Sequence, residues 1–394
     1  MTKEEKLAYQ GYIIRQILEA PLEEAFQIYA ANFEYVQEYS FIFPHPEGNN
    51  YVQKFRNLNL DDLDVIYFFG SETLYCLNSR SFTSIMLGED YELKIASLVS
   101  LDTQIQSYLY RNYIDNKNKI PNNIAEIQKI IDSRRCMVDG LAYTFENTLF
   151  NPEYLNSQIF KDNTYAFETY FFKNKIEAES YSKNILDLDN QILNDEFSNW
   201  FRHQYLLYYL ALLVMTDINI NHKNLPLYQK ELSFVKYFHE QIGILSDRET
   251  NLAKLFFNYG TNIKFFGKIQ KGRKDIIKNL KNMAWDIFHL QNTFNNLFII
   301  PKNADFIIPF FISYDQRLKD IAPIYKLKSA AFIKNGFNKH LNFLTDLIDP
   351  TIKYEYFTAQ AYLKRQEKLK DATEVSIIAK LQIEIEKYEK FLGL

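Results

Sequence analysis

Phe306-Ile-Ile-Pro-Phe-Phe-Ile-Ser-Tyr-Asp315 is the stretch on which the fold turns. It is apolar at nearly every position, so it reads as a strand buried on both faces, the pattern of a sheet covered by helices. Its last residue is an acid. A carboxylate just beyond a buried strand is held by the sheet yet faces solvent. A second run, Ala96-Ser-Leu-Val-Ser-Leu-Asp102, closes the same way and belongs to a strand expected over residues 91–102 of a parallel sheet. Two acids on predicted helices lie between them: Glu146 in Leu141-Ala-Tyr-Thr-Phe-Glu-Asn-Thr-Leu149, and Asp286 in Met283-Ala-Trp-Asp-Ile-Phe288. If these four carboxylates meet, they form a cage for Mg²⁺ or Mn²⁺ beside a phosphodiester.

Each acid also has a plainer role. Asp102 and Asp315 can cap the helical turns that follow them, with Ser313 placed to hydrogen-bond beside Asp315. Glu146 lies between Phe145 and Leu149, a costly place for an unpaired charge unless its side chain faces solvent with Asn147. Asp286 flanks the apolar stripe of Ile276, Leu280, Met283, Ile287 and Leu290, which suits a ligand in a cleft or a helix-surface acid equally.

The chain of 394 residues can build one large core or two to three modest domains, and 47% apolar residues suit a folded protein. A net charge of −4 supplies no global field for nucleic acid, so any such binding must come from a local patch. Two cysteines, Cys76 and Cys136, are too few for a disulfide framework or a thiolate metal site, which points to a reducing cytoplasm. The charged start Met1-Thr-Lys-Glu-Glu-Lys is no secretory leader. The most apolar window, Tyr205 to Met215, is shorter than the roughly 20 residues of a membrane span and reads as a buried helix.

Along the chain, residues 5–40 have helical periodicity through Leu7, Ile14, Leu18, Leu22 and Phe26, ending before Pro44 and Pro46. Residues 65–69, 73–77 and 81–87 alternate like strands of a small antiparallel sheet, punctuated by Gly70, Asn78-Ser79 and Gly88. A helix is expected over 104–113, a loop over 116–123 containing Pro121, and a helix over 124–150 broken near Gly140. Residues 151–282 read as a helical layer, with helices at 165–185, 196–216, 226–243 and 247–258. After Asp315 a short helix stops at Pro323. The tail gives two charged amphipathic helices, 354–370 and 373–392. The stripe Ile377, Ile378, Leu381, Ile385, Tyr388 and Leu392 can dock on the body or pair with a protein partner or a second copy.

In their order, these motifs resemble the PIN-like nuclease superfamily. The residues that carry the likeness are Leu101-Asp-Thr-Gln104, the helical Glu146, Ala284-Trp-Asp-Ile-Phe-His-Leu290 and Ser313-Tyr-Asp-Gln-Arg-Leu318. The resemblance implies an α/β fold, a three-layer α/β/α sandwich with a central parallel sheet. It would occupy residues 91–350, with core segments 91–150 and 275–330 and a large helical insertion at 151–274. A small N-terminal α+β region, 1–90, and C-terminal helices, 351–394, would flank it. Gln104 stands where the family usually has Asn, and the long gap between Glu146 and Asp286 is what requires the insertion. The implied activity is a metal-dependent endoribonuclease, with Asp102, Glu146, Asp286 and Asp315 as catalytic and metal-binding residues, Mg²⁺ or Mn²⁺ as cofactor, and a toxin or phage-defence effector as the biological setting.

RNA, or single-stranded DNA, would reach such a site over Lys264, Lys268, Lys271, Arg273 and Lys274, where Phe265, Phe266 and Gly267 interleave, with Arg317 just beyond Asp315. A solvated helix face and a surface ion pair are the ordinary readings of these cations. His239-Glu240 lacks a second histidine at 243, which argues against a zinc protease, and no phosphate-binding loop, dinucleotide glycine signature, nucleophile elbow or EF-hand is present. Two other classes stay open: a catalytically inactive PIN-like module that binds protein or nucleic acid, and a helical scaffold in which the four acids never meet.

Overall fold

The computed structural model describes residues 3–49, 63–71, 73–91, 93–114, 122–134, 136–172, 195–269, 275–301, 304–334, 336 and 339–392. Three helices open the chain, α1 (Lys3–Glu19), α2 (Leu22–Ala31) and α3 (Phe33–Val36). Strands β1 (Tyr39–Asn49), β2 (Asp64–Tyr67) and β3 (Leu74–Leu77) follow, then α4 (Ser79–Met86), β4 (Ile95–Leu101) and α5 (Thr103–Ile114). Next come α6 (Asn122–Arg134), β5 (Met137–Asp139), α7 (Leu141–Thr148) and α8 (Gln158–Phe171). The helical layer holds α9 (Asp195–Asn221), α10 (Leu227–Lys236), α11 (Asp247–Tyr259) and α12 (Ile276–Asn295). Strands β6 (Phe306–Ser313), β7 (Leu327–Ile333) and β8 (Lys339–Phe343) precede the closing helices α13 (Pro350–Tyr356), α14 (Ala359–Leu369) and α15 (Glu374–Phe391).

The strands form two sheets of four, ordered β3-β1-β7-β8 and β2-β6-β4-β5. The first is antiparallel throughout. In the second, β4 runs parallel to both β6 and β5, while β2 pairs antiparallel to β6. The fold is therefore mixed α/β, and the sheet expected to be parallel carries one reversed edge strand. Every residue of β6 is buried, as its unbroken apolar run required. Pro309 is tolerated inside β6 because the β2 ladder stops at Tyr67 opposite Phe310, one position short of it. The sheets touch where Phe69 bridges Leu327.

Several local expectations are corrected. Residues 81–87 are helix, not strand. Asn78 accepts from the Ser81 N–H at 2.9 Å and Ser81 Oγ accepts from the Asn78 N–H at 2.9 Å, so what read as turn punctuation is a capping box. The segments 65–69 and 73–77 do not pair with each other; β2 joins β6 and β3 joins β1. The sheets thus cross the boundary expected at residue 90. The helix expected over 124–150 is two helices around the three-residue strand β5. The helical reading of 5–40 breaks into three, and β1 runs on through Pro44 and Pro46. The far half of the helix expected at 165–185, and most of the loop expected at 116–123, lie outside the described residues.

Residues 205–215 of α9 are buried on all sides, and among the described residues no helix is long and apolar enough to cross a membrane. The C-terminal stripe docks on the body: Leu381 and Ile385 are buried against it. Tyr209 and Tyr237 hydroxyls donate to Glu389 at 2.6 Å and Glu384 at 2.7 Å, pinning α15 across α9. Each fully buried leucine or isoleucine there contributes about 1.5–3 kcal/mol before entropy is counted.

Candidate acidic site at the carboxyl ends of the parallel strands

Because β4 and β6 are parallel and in register from Ile95 opposite Phe306 to Leu101 opposite Ile312, their terminal acids emerge at the same end. The Asp102 N–H continues the ladder, donating to the Ile312 carbonyl at 3.0 Å. Buried Ser313 joins the two acids. Its hydroxyl donates to Asp102 Oδ2 at 2.5 Å and accepts from the Asp315 N–H at 2.9 Å.

The helical acids reach the same place. Thr103, the first residue of α5, donates its hydroxyl to Glu146 Oε2 at 2.7 Å. His289 Nε2 stands 3.5 Å from that oxygen, its ring buried and stacked on Trp285 with 5.6 Å between centroids. His289 is one turn past Asp286 on α12, so the two share a face. Gly140, just before α7, lies so close to Gln106 of α5 that a Cβ there would push the Gln106 amide aside and crowd the Phe167 ring.

The electrostatics join all four acids. Burial, then Asp102 and Asp315, push the Asp286 carboxyl well above its ordinary range, with Glu146 adding to the rise and Arg317 opposing it. Asp102 is raised by burial and by Glu146 and Asp315, against the Ser313 hydrogen bond and His289. Glu146 is lowered: burial alone would raise it, but His289 and the Thr103 hydroxyl prevail. Asp315 is also lowered against burial, by Arg317 and by the charge of Lys268. Arg317 holds that carboxylate through Nε at 2.7 Å and through a second nitrogen on the other oxygen. Its remaining nitrogen, Nη1, is buried without a hydrogen-bond partner.

The structure thus brings the four sequence-predicted acids into one electrostatic cluster. It does not arrange a ready cage: among the described residues, no three His, Cys, Asp or Glu groups are placed to hold a metal ion. Ser313, Arg317, and Thr103 with His289 occupy the carboxylates instead. The donor chemistry, all carboxylate oxygen around one histidine, suits a hard cation, and a cation would have to displace some of these contacts.

Of the predicted nucleic-acid residues, Lys264 is exposed and Lys268 is half-buried near Asp315, whereas Lys271, Arg273 and Lys274 lie outside the described residues. Phe265 and Phe266 are fully buried, so these rings anchor the segment rather than offering faces to bases. The Phe265 N–H donates to Asp320 at 3.2 Å, which fixes the start of the basic loop beside the turn carrying Arg317. Arg317 itself is committed to Asp315 rather than free for phosphate.

Sequence reasoning missed Asp139, His289 and Thr103. Asp139 ends β5 beside β4, opposite Ser100 in register, and accepts from the Ser100 hydroxyl at 2.7 Å. Burial raises its carboxyl to about 6 in spite of Ser100, the Leu141 N–H and His289. It was a third strand-end aspartate, hidden because its strand is three residues long. The spacing from Asp286 to His289 was the available signal for the histidine. No protein-family model matches the chain, and no curated protein or solved structure is detectably similar to it.

Proposed function

We infer that this chain is a divalent-cation-dependent phosphodiesterase of the PIN-like kind, an endoribonuclease whose centre is Asp102, Glu146, Asp286 and Asp315. The observation that supports it is the gathering of four carboxylates from four separate elements, where burial first and then the charges of Asp102, Asp315 and Glu146 push the Asp286 carboxyl well above its ordinary range. Such a cluster is short of positive charge, and a divalent cation is what completes it. In this reading the three-layer PIN-like core is built around β4, β5 and β6. Asp102 and Asp315 hold Mg²⁺ or Mn²⁺ from the strand ends, while Glu146 and Asp286 do so from α7 and α12. The bound cation supplies a Lewis acid and a water of lowered pKa. Thr103 holds Glu146 in place with His289 close beside it, and Lys268 stands ready to meet a backbone phosphate of the RNA.

One observation favours a second reading, a PIN-like module without catalysis. Arg317 already neutralises Asp315, as a cation substitute would.

Labelled RNA and single-stranded DNA incubated with Mn²⁺ or Mg²⁺ decide between the two. The nuclease reading expects metal-dependent cutting of RNA that falls by about 100-fold or more in both Asp102→Asn and Asp315→Asn. Folded wild-type protein that binds Mn²⁺ by calorimetry but cuts nothing supports the inactive module. Cutting that survives both substitutions removes the acids from the centre.

A further inference from the structure

The amino ends of the same strands border a cavity of about 870 Å³, within the range of small-molecule sites. Leu98 of β4, Met137 of β5 and Ile307 of β6 form its floor, and Gln291 and Asn295 of α12 line one side. Its charges come from Arg248 and Glu249 at the start of α11 and from Lys339 at the start of β8. Arg248 lies over Phe294 at 4.9 Å and Phe343 at 5.5 Å, and its Nη1 is buried without a hydrogen-bond partner. The Lys339 ammonium sits 4.5 Å from the Phe298 centroid. Partial burial and the charge of Arg248 hold its amine below the ordinary lysine range. Among the described residues neither cation has a carboxylate within ion-pair distance, although the protein as a whole carries a net charge of −4.

We propose that this cavity is a binding site for a nucleoside monophosphate. Its phosphate lies between Arg248 and Lys339, and its base lies against the apolar floor and the side-chain amides. Two neighbouring cations against the single carboxylate of Glu249 leave the cavity with a net positive charge, which is complementary to a phosphate ester. Trp200, Phe298 and Ile300 are among the apolar side chains that line the cavity and offer a planar body apolar surface. Gln291 Nε2 donates to Asn295 Oδ1 at 2.9 Å and Tyr208 donates to Gln204 Oε1 at 3.3 Å, so it is the other amide atoms of these three side chains that offer a base edge its donors and acceptors. Glu249, whose Oε2 is buried and unpartnered, can accept from a ribose hydroxyl or a base N–H. The site is separate from the acidic cluster and does not depend on the nuclease reading. It shares β4, β6 and α12 with that cluster, so a ligand here bears on the elements that hold Asp102, Asp286 and Asp315.

Calorimetry and thermal melting of the full chain in EDTA, which silences any metal site, test this with AMP, GMP, CMP, adenosine, inorganic phosphate and benzoate. The expected result is binding of at least one nucleotide with a raised melting temperature, and at least about tenfold weaker binding of adenosine and of phosphate. Lys339→Gln and Arg248→Gln each weaken the nucleotide by about tenfold or more. Lys339→Gln also serves as the folding control. It gives up the ammonium's contact with Phe298 and relieves a like charge beside Arg248 on an edge strand, so a cooperative unliganded melt close to that of the wild type shows that the variant is folded. The proposal is overturned if no nucleotide binds at millimolar concentration, if adenosine binds as well as AMP, if benzoate binds in place of the nucleotides, or if both variants bind like wild type.

Discussion

The two ends of β4 and β6 are built from the same strands and the same helix, yet they carry opposite imbalances of charge. At the carboxyl ends, Asp102, Glu146, Asp286 and Asp315 outnumber the cations among them, and Asp286 is driven toward its neutral acid. Toward the amino ends, Arg248 and Lys339 outnumber Glu249 around a cavity, and burial drives Lys339 toward its neutral amine. Buried charge that is merely structural looks different. Glu231, fully buried, gives one oxygen to Lys254 and the other to the Asp349 N–H at 2.8 Å, so nothing in it asks for a ligand. The comparison separates charges the fold has satisfied from charges it has left under-neutralised, and the latter mark candidate binding sites.

The largest effect tests that separation directly. Glu231→Gln breaks a satisfied buried pair and leaves Lys254 alone, which should cost about 3–5 kcal/mol in denaturant unfolding. Asp286→Asn removes a buried acid whose charged form burial and neighbouring carboxylates already disfavour, so it should cost less than about 1 kcal/mol. Equal losses would mean that the acidic cluster is as structural as the Glu231 pair, and the comparison would collapse.

A pH series sharpens it further. The folded Asp139 carboxyl sits at about 6, against about 3.9 for a free aspartate. The folded state therefore holds the proton more tightly than the unfolded chain. The resulting stabilisation is whole below about pH 3.9 and is lost as pH rises through about 6. Asp139→Asn cannot lose a proton, so relative to wild type it should gain stability between pH 4 and 7, by up to roughly 3 kcal/mol. Melting temperatures of the two proteins across that range would show it. A constant difference would show that Ser100 and the Leu141 N–H already satisfy an ionised Asp139.

How much of this was legible beforehand follows from where the signals are local. The run ending at Asp315 could be read because a strand buried on both faces is apolar at nearly every position, and the run ending at Asp102, broken by Ser97 and Ser100, because it stays uncharged up to its closing acid. The buried helix at 205–215 and the docking stripe of α15 were read for the same reason, that burial leaves a period in the sequence. Strand partners were not legible: β2 and β3 look like a hairpin across Gly70, but each hydrogen-bonds along its edge to a strand from elsewhere in the chain, β2 to β6 and β3 to β1. Asp139 escaped because three residues carry no period. Arg317 was read as a phosphate contact or an ordinary ion pair, and the acid two residues away in the same turn supplies it with a bidentate partner.

Arg317 gives the smallest and most discriminating effect. Its guanidinium clamps Asp315 and also lowers Asp286 through its charge, so it stands in the acidic cluster where a cation would compete with it. Arg317→Gln should cost about 1 kcal/mol of stability, since the pair is only partly buried. That loss should vanish in acid, because a carboxyl held below its ordinary range stabilises the fold only while it is ionised. With Asp315 released, the midpoint of a Mn²⁺ titration should move to lower concentration by about threefold, a gain of under 1 kcal/mol in binding. An unchanged midpoint would mean that Asp315 takes no part in holding a cation. A midpoint moved to higher concentration would mean that Arg317 positions the carboxylate for the metal rather than competing with it, and the clamp would then be part of the cage.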